Sequence, residues 1–273
     1  MDKPLVNIVI GVFRVCRLIL HLSYGLLLAI FFPHLNEDRQ RRILKTWSRA
    51  LLKILNVGLQ IEGPQPTYRA DSWLMVANHV SWLDIFILNA IQPAHFIAKS
   101  EIRSWPLIGW LCRRSGTLFI ERTVRHAAEP INKRIMHLLK QGNCVGLFPE
   151  GTTTDGSQVG HFHSSLMQSA IDSEAILHPI ALRYQNDDGR LSADVAFTGD
   201  TTLVQSIWKI VRRPHHNALV IFTPALFTAN KHRRVLAHAA RQAIAQELKT
   251  YASKEPQAVD SFSFDVQFTP AVN

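Results

Sequence analysis

Leu74 to Ala90 reads LMVANHVSWLDIFILNA. An apolar run of strand character ends abruptly in Asn78-His79, Asp84 follows five residues on, and the apolar character then resumes at helical spacing. A strand, a polar seam and a helix in so short a stretch are the opening of an α/β unit. Two readings of the seam fit these residues. In one, Ser81-x-x-Asp84 is a capping-box-like helix start, Asp84 sits near the positive end of the helix dipole, and His79 is a satisfied loop histidine. In the other, the chain turns between strand and helix so that His79 folds back onto Asp84. The carboxylate then accepts a ring N–H, fixes the tautomer and stabilises the imidazolium, as a general base requires. Positions five apart on a continuous helix point well away from each other, so this pairing needs the turn.

Outward from the seam the alternation continues. WLMVA, HFIAK, TLFIE, CVGLF, AILHPIAL, ADVAFT and ALVIFT read as strands, and WLDIFILNAIQ, AAEPINKRIMHLLKQG and SSLMQSAIDS as helices between them. HRRVLAHAARQAIAQELKTYASK reads as the last helix. The fold expected is α/β, a mixed sheet flanked by helices on both faces. Three regions are expected: membrane-associated helices over 1–57, the α/β domain over 58–252, and a loosely ordered tail over 253–273.

The chain has 273 residues, 47% of them hydrophobic, and a formal net charge of +9. Its mean hydropathy of +0.03 is too low for a polytopic membrane protein and high for a freely soluble one, which favours a globular body in contact with a membrane. The basic balance favours an anionic partner. Cys16, Cys112 and Cys144 are scattered, with no disulfide framework and no metal-type CxxC pair.

The N-terminal stretch PLVNIVIGVFRVCRLILHLSYGLLLAIFFP is apolar but interrupted by Arg14 and Arg17. Its unbroken part, Leu18 to Phe32, is shorter than the roughly 20 residues of a perpendicular span, and no cleavage site of the signal-peptide kind follows. The preferred reading is a helix lying in one leaflet with its arginines snorkelling, a single pass being the alternative. In RRILKTWSRALLKIL, Ile43, Leu44, Trp47, Leu51, Ile54 and Leu55 share one helical face and Arg42, Lys45, Arg49 and Lys53 the other. That pattern fits a second membrane-docking helix or a surface helix packed on the core. Basic residues after a first membrane helix place the body on the cytoplasmic side.

Three further polar seams repeat the first. GTLFIER (Gly116 to Arg122) ends a strand in Glu121-Arg122, GLFPEGTTTDG leaves a strand at Pro149-Glu150-Gly151, and ILHPIAL carries Pro179 in an apolar run. Ligands gather at the carboxyl ends of strands in open α/β sheets.

These residues together resemble the glycerol-phosphate and acylglycerol-phosphate acyltransferase family of phospholipid biosynthesis. The resemblance rests on four ordered blocks: N-H-x-x-x-x-D at Asn78 to Asp84, G-x-x-F-I-x-R at Gly116 to Arg122, F-P-E-G-T at Phe148 to Thr152, and the proline Pro179. It implies that His79 is a general base and that Asp84 orients it. It implies that Arg122 holds the acceptor's phosphate through its guanidinium fork. Gly116 and Thr117, with Glu150, Gly151 and Thr152, would form the acceptor pocket, while Phe119, Pro149 and Pro179 would line an acyl tunnel or serve structure. The implied reaction is direct transfer from acyl-CoA or acyl-ACP to a membrane lyso-lipid, without cofactor or metal, at the cytoplasmic face of the inner membrane. The absence of a G-x-S-x-G elbow agrees with transfer without an acyl-enzyme. The chain departs from the pattern where Thr153 and Thr154 replace an arginine and where His163 replaces a lysine after Phe162. Both departures weaken the phosphate clamp and admit a lyso-ornithine lipid as acceptor.

The rival readings are weaker. His161-x-His163 and His215-His216 lack carboxylates or cysteines at ligand spacing, so a metal hydrolase is disfavoured. A serine hydrolase lacks a nucleophile. Nucleic-acid binding fits poorly, because much of the basic charge lies on the amphipathic segment beside the apolar one. A silent lipid-binding protein has no need of a base.

Overall fold

The computed structural model describes residues 4–66, 72–121 and 128–253. After two helices, α1 (Pro4–Phe31) and α2 (Glu37–Leu55), the chain enters a sheet. Its elements are β1 (Val57–Glu62), β2 (Trp73–Ala77), α3 (Leu83–Ile91), β3 (His95–Lys99), α4 (Ile108–Arg114), β4 (Leu118–Ile120), α5 (Ala128–Lys140) and β5 (Val145–Leu147). Then follow α6 (Gln168–Asp172), β6 (Ile176–Gln185), α7 (Leu203–Arg212), β7 (His216–Phe222) and α8 (Arg233–Ser253). The strands lie in the order β1-β7-β6-β2-β5-β3-β4. From β6 to β4 all neighbours are parallel, whereas β7 runs antiparallel to β6 and β1 runs parallel to β7.

β2 is buried along its whole length, as expected of a central strand covered on both faces. Its odd positions, Trp73, Met75 and Ala77, join one core with α2, α3 and α7, and its even positions, Leu74 and Val76, join a second with α5, α6 and α8. Pro179 is tolerated in β6 because the β7 side of the strand changes there. The regular ladder starts at Ile180 opposite Phe222, the isolated bridge Leu177–Leu226 lies below, and Thr223 donates its N–H (3.1 Å) to the Pro179 carbonyl between them.

One strand expectation needs correction, and one strand was not expected. ADVAFT (Ala193 to Thr198) is no strand: it is an irregular crossing whose Phe197 N–H donates to the Val80 carbonyl (2.9 Å) just beyond β2. Conversely VGLQIE, read as nothing in particular, is the edge strand β1. Residues 254–273, expected to be a loose tail, lie outside the described residues.

The N-terminal helices differ from expectation in how they are used. α2 turns Leu51, Leu52, Ile54 and Leu55 into the core against α3, and its Arg49 donates to the Ala90 carbonyl (2.9 Å) at the end of α3. Its apolar face therefore belongs to the body. α1 is continuous over 28 residues, about 42 Å, because the arginines do not break it. Arg14 does not snorkel: it is buried, and its guanidinium donates to the carbonyls of Val211 (3.1 Å), Arg213 and Pro214 (2.8 Å), closing the C-terminal end of α7. Arg17 stays outside, over the Phe13 ring. His21 stacks on Trp47 of α2, with ring centroids 4.4 Å apart, and seats the middle of α1 on the body.

Candidate active site

β2 and β5 are parallel neighbours, so both leave the sheet at the same edge, and the two loops that follow meet there. Asn78 ties the first loop down: its side chain donates to the Leu182 carbonyl (2.9 Å) and accepts from the Leu182 N–H (2.8 Å), prolonging the β2–β6 pairing by one side chain. The chain then turns sharply. Oδ2 of Asp84 accepts from the N–H groups of Val80 (2.7 Å) and Ser81 (2.9 Å) and lies 2.8 Å from Nδ1 of His79. The turn left open by the sequence is thus present, and Asp84, in the first turn of α3, holds both the backbone ahead of the helix and the imidazole. Asp84 is fully buried while the His79 side chain is 18% exposed.

This geometry sets the tautomer. A buried carboxylate that already takes two backbone N–H groups on Oδ2 needs a donor from His79, so Nδ1 carries the proton and Nε2 carries the lone pair. Nε2 has no hydrogen-bond partner among the described residues. The ring lies flat on Phe148, centroids 4.0 Å apart at 12°, and Phe148 in turn lies on Phe96. The imidazole is therefore fixed by a carboxylate at one nitrogen and an aromatic face along its plane.

The loop after β5 reaches the same place. Oε1 of Glu150 accepts the His79 N–H and Oε2 the Gly160 N–H, both at 2.9 Å. Burial pushes the Glu150 carboxyl up, against the pull of those two donors. A Cβ on residue 160 would lie 2.7 Å from Oε2, so only glycine admits the contact. Gly151 closes the turn onto the Phe148 carbonyl (3.1 Å), Thr154 donates its N–H to the His79 carbonyl (2.8 Å), and Arg241 of α8 holds the carbonyls of Val159 and Gly160. Pro149 is buried and Thr152 exposed beside them.

His79, Asp84, Glu150 and Gly151 are therefore together. Gly116 and Thr117 are not among them. They precede β4, which is parallel to β3 and β5, so they lie at the opposite end of the strand from the site edge. Gly116 has φ +78°, and a Cβ there would stand 2.6 Å from Nδ1 of His95, which accounts for glycine without any substrate. Phe119 is half-buried within β4, and Pro179 lies inside β6 rather than at its end. Arg122 follows the exit of β4 and lies outside the described residues. Among the described residues no group of three or more His, Cys, Asp or Glu side chains could hold a metal, and His161 and His163 face each other without a carboxylate partner.

Two contributors escaped the sequence reading. Phe148 was read only as part of a block, and Tyr184, whose hydroxyl donates to Oδ1 of Asp84 (2.7 Å), was not read at all. No local pattern marks Tyr184, because its partner is 100 residues away.

A family model described as Acyltransferase matches residues 58–183, which contain His79, Asp84, Phe148, Glu150 and Gly151 and end one residue short of Tyr184. The chain belongs to this acyltransferase family, in its 1-acylglycerol-3-phosphate acyltransferase-like branch, and is an O-acyltransferase. It is 40% identical over 175 residues to the 1-acyl-sn-glycerol-3-phosphate acyltransferase of Neisseria meningitidis serogroup B, covering 64% of this chain and 68% of that one. It is 35% identical over 205 residues to the lyso-ornithine lipid O-acyltransferase of Pseudomonas aeruginosa, covering 75% and 78% respectively. The crystal structure of the 1-acyl-sn-glycerophosphate (LPA) acyltransferase PlsC from Thermotoga maritima shares the fold, with a TM-score of 0.69 at 17% identity over 93% of this chain and 99% of that one.

Proposed function

We propose that this enzyme moves a fatty acyl group from an acyl thioester, acyl-CoA or acyl-ACP, to the free hydroxyl of 1-acyl-sn-glycerol-3-phosphate, giving phosphatidic acid. The observation that carries the reading is an imidazole with one nitrogen held by a buried carboxylate and the other without a hydrogen-bond partner among the described residues. Nε2 takes the hydroxyl proton as the oxygen attacks the thioester carbonyl. The imidazolium so formed is stabilised by Asp84, the tetrahedral intermediate collapses with loss of the thiolate, and the proton passes from Nε2 to sulfur. A thiolate leaves readily, so no acyl-enzyme is needed. Arg122 takes the acceptor's phosphate in this scheme, with Glu150, Gly151 and Thr152 shaping the pocket.

A second acceptor has its own support. The relative named for lyso-ornithine lipid matches a longer stretch than the one named for the glycerol phosphate, and Thr153 and His163 stand where cations would strengthen a phosphate clamp. The deciding experiment offers the purified enzyme an acyl thioester with lysophosphatidic acid or with lyso-ornithine lipid. Transfer to lysophosphatidic acid upholds the first reading, and transfer to the phosphate-free acceptor alone replaces it with the second.

The substrates lie in a membrane, and the protein's outer surface suits one. Val9, Phe13, Leu20, Leu27 and Phe31 stand exposed along α1, with Trp208 exposed on α7, which α1 touches, and Trp105 and Leu107 exposed just ahead of α4, which it also touches. Arg14 favours a helix lying along the surface over one that crosses. Its partners are backbone carbonyls at the foot of β7, and a perpendicular α1 would draw that polar backbone to mid-bilayer. The placement is monotopic, on the cytoplasmic face of the inner membrane. The double variant Phe13→Asp, Leu20→Asp is expected to lose co-flotation with anionic vesicles by about tenfold or more while keeping its circular dichroism and melting temperature. Undiminished flotation would assign membrane contact elsewhere.

A further inference from the structure

We propose that Tyr184 is a positioning residue for the reaction, acting on His79 through Asp84. The inference rests on the reading of His79 as general base. Tyr184 stands on β6, on the same face as Ile180 and Leu182, and the Asn78 bridge to Leu182 fixes β6 against the residue that precedes His79. Its own backbone is held on both sides, paired with Ala218 in β7 and accepting the Ser192 N–H (2.9 Å). From this fixed base the ring runs through the core, 2% exposed, and presents its hydroxyl to Oδ1 of Asp84 at 2.7 Å.

The two oxygens of Asp84 are unequally occupied. Oδ2 serves Val80, Ser81 and His79, while Tyr184 is the one donor to Oδ1 among the described residues. Two consequences follow for a carboxylate with no exposure. Anchoring Oδ1 stops rotation about the last side-chain bond, which keeps Oδ2 in line with Nδ1 of His79. Donation into Oδ1 also draws off part of the negative charge that faces the imidazole. A bare Oδ1 would hold the imidazolium more tightly, so the base would be occupied by a proton at higher pH and would release it to the thiolate more slowly.

Tyr184 is suited to that task because it stays a donor. Burial pushes its phenol well above the usual range, and the charge of Asp84 and the hydrogen bond to it push the same way. Glu150, also titratable, faces the His79 backbone from the loop after β5 and carries its own two donors. Phe148 and Phe96 bring no charge. Tyr184 is therefore the neutral group that moderates Asp84.

The test compares pH profiles of kcat/KM for the parent, Tyr184→Phe, and a protein carrying fluorotyrosine at position 184, with His79→Ala alongside. Tyr184→Phe is expected to shift the acid limb to higher pH and to lower kcat about 10–100-fold, the scale of one hydrogen bond to a charged group, with KM for both substrates nearly unchanged. Fluorotyrosine keeps the shape and donates more strongly, so it is expected to shift the limb the other way, to lower pH. It also decides the matter should Tyr184→Phe not fold. A limb that stays in place with fluorotyrosine, or a loss in Tyr184→Phe that merely tracks the folded fraction, overturns the positioning role. Inactive His79→Ala together with unmoved limbs leaves the base standing and removes only Tyr184; full activity in His79→Ala removes both.

Discussion

His79→Ala is expected to lower kcat by about 10²–10⁴-fold, the range a lost general base accounts for, with unchanged melting temperature and vesicle binding. The expectation of an intact fold comes from what the ring touches. Its plane lies on Phe148 and one nitrogen meets Asp84, but its backbone N–H, which anchors Glu150, survives in alanine. A purified, folded His79→Ala enzyme turning over at the parent's rate would remove the imidazole from the mechanism, leaving the hydroxyl to lose its proton to solvent.

Asp84→Asn asks a narrower question, because an amide fits the same hydrogen bonds. Its oxygen can occupy the position of Oδ2, facing the three donors Val80, Ser81 and His79. Its NH₂ then points at Tyr184, whose hydroxyl turns from donor to acceptor. Geometry and tautomer are thereby kept and only the negative charge is lost. What remains is an imidazole that must become an imidazolium in a buried site with no counter-charge from Asp84. The expected result is a loss of kcat of about 10²–10⁴-fold with little change in KM or stability. Activity within a few-fold of the parent would mean that Asp84 serves only to shape the loop.

Much of this site is legible in the chain because its parts are local. The run from Leu74 to Ala90 contains a strand, a turn and a helix whose own backbone supplies two of the four donors to Asp84. The turn could be posed as a question from the spacing of His79 and Asp84 alone. Phe148 to Thr152 is legible for the same reason: strand, proline, turn and glycine stand in order. Contacts across the sheet are a different matter. Tyr184 is one apolar-looking residue in a strand, and nothing near it says that its hydroxyl meets a carboxylate. Gly116 was legible as a glycine with a purpose but not as to which, since the neighbour that forbids a side chain is His95 on another strand. ADVAFT was misread because alternation marks burial as much as pairing: Val195 is buried, yet the segment takes no place in the seven-stranded sheet. β1 was passed over although Val57, Leu59 and Ile61 alternate with polar neighbours, because Gly58 and its place right after α2 obscured the pattern. The same limit applies to Arg14, which reads as a flaw in an apolar helix until the carbonyls it meets are known.

That arginine also bears on how the protein is born. α1 leaves the ribosome long before α7 does, and the carbonyls that accept Arg14 belong to Val211 and Pro214, 197 and 200 residues later. Throughout synthesis the emerging helix therefore carries an unmet charge near the middle of its apolar stretch, at a depth where insertion machinery disfavours one by about 2.5–3.5 kcal/mol. On the interfacial placement proposed above, that unmet charge opposes threading of the nascent segment across the bilayer while it waits. Only when residues 211–214, at the end of α7, have been made does the guanidinium find its place, and on the interfacial placement the helix then meets lipid as one side of a finished body. On that placement, folding comes first and docking second.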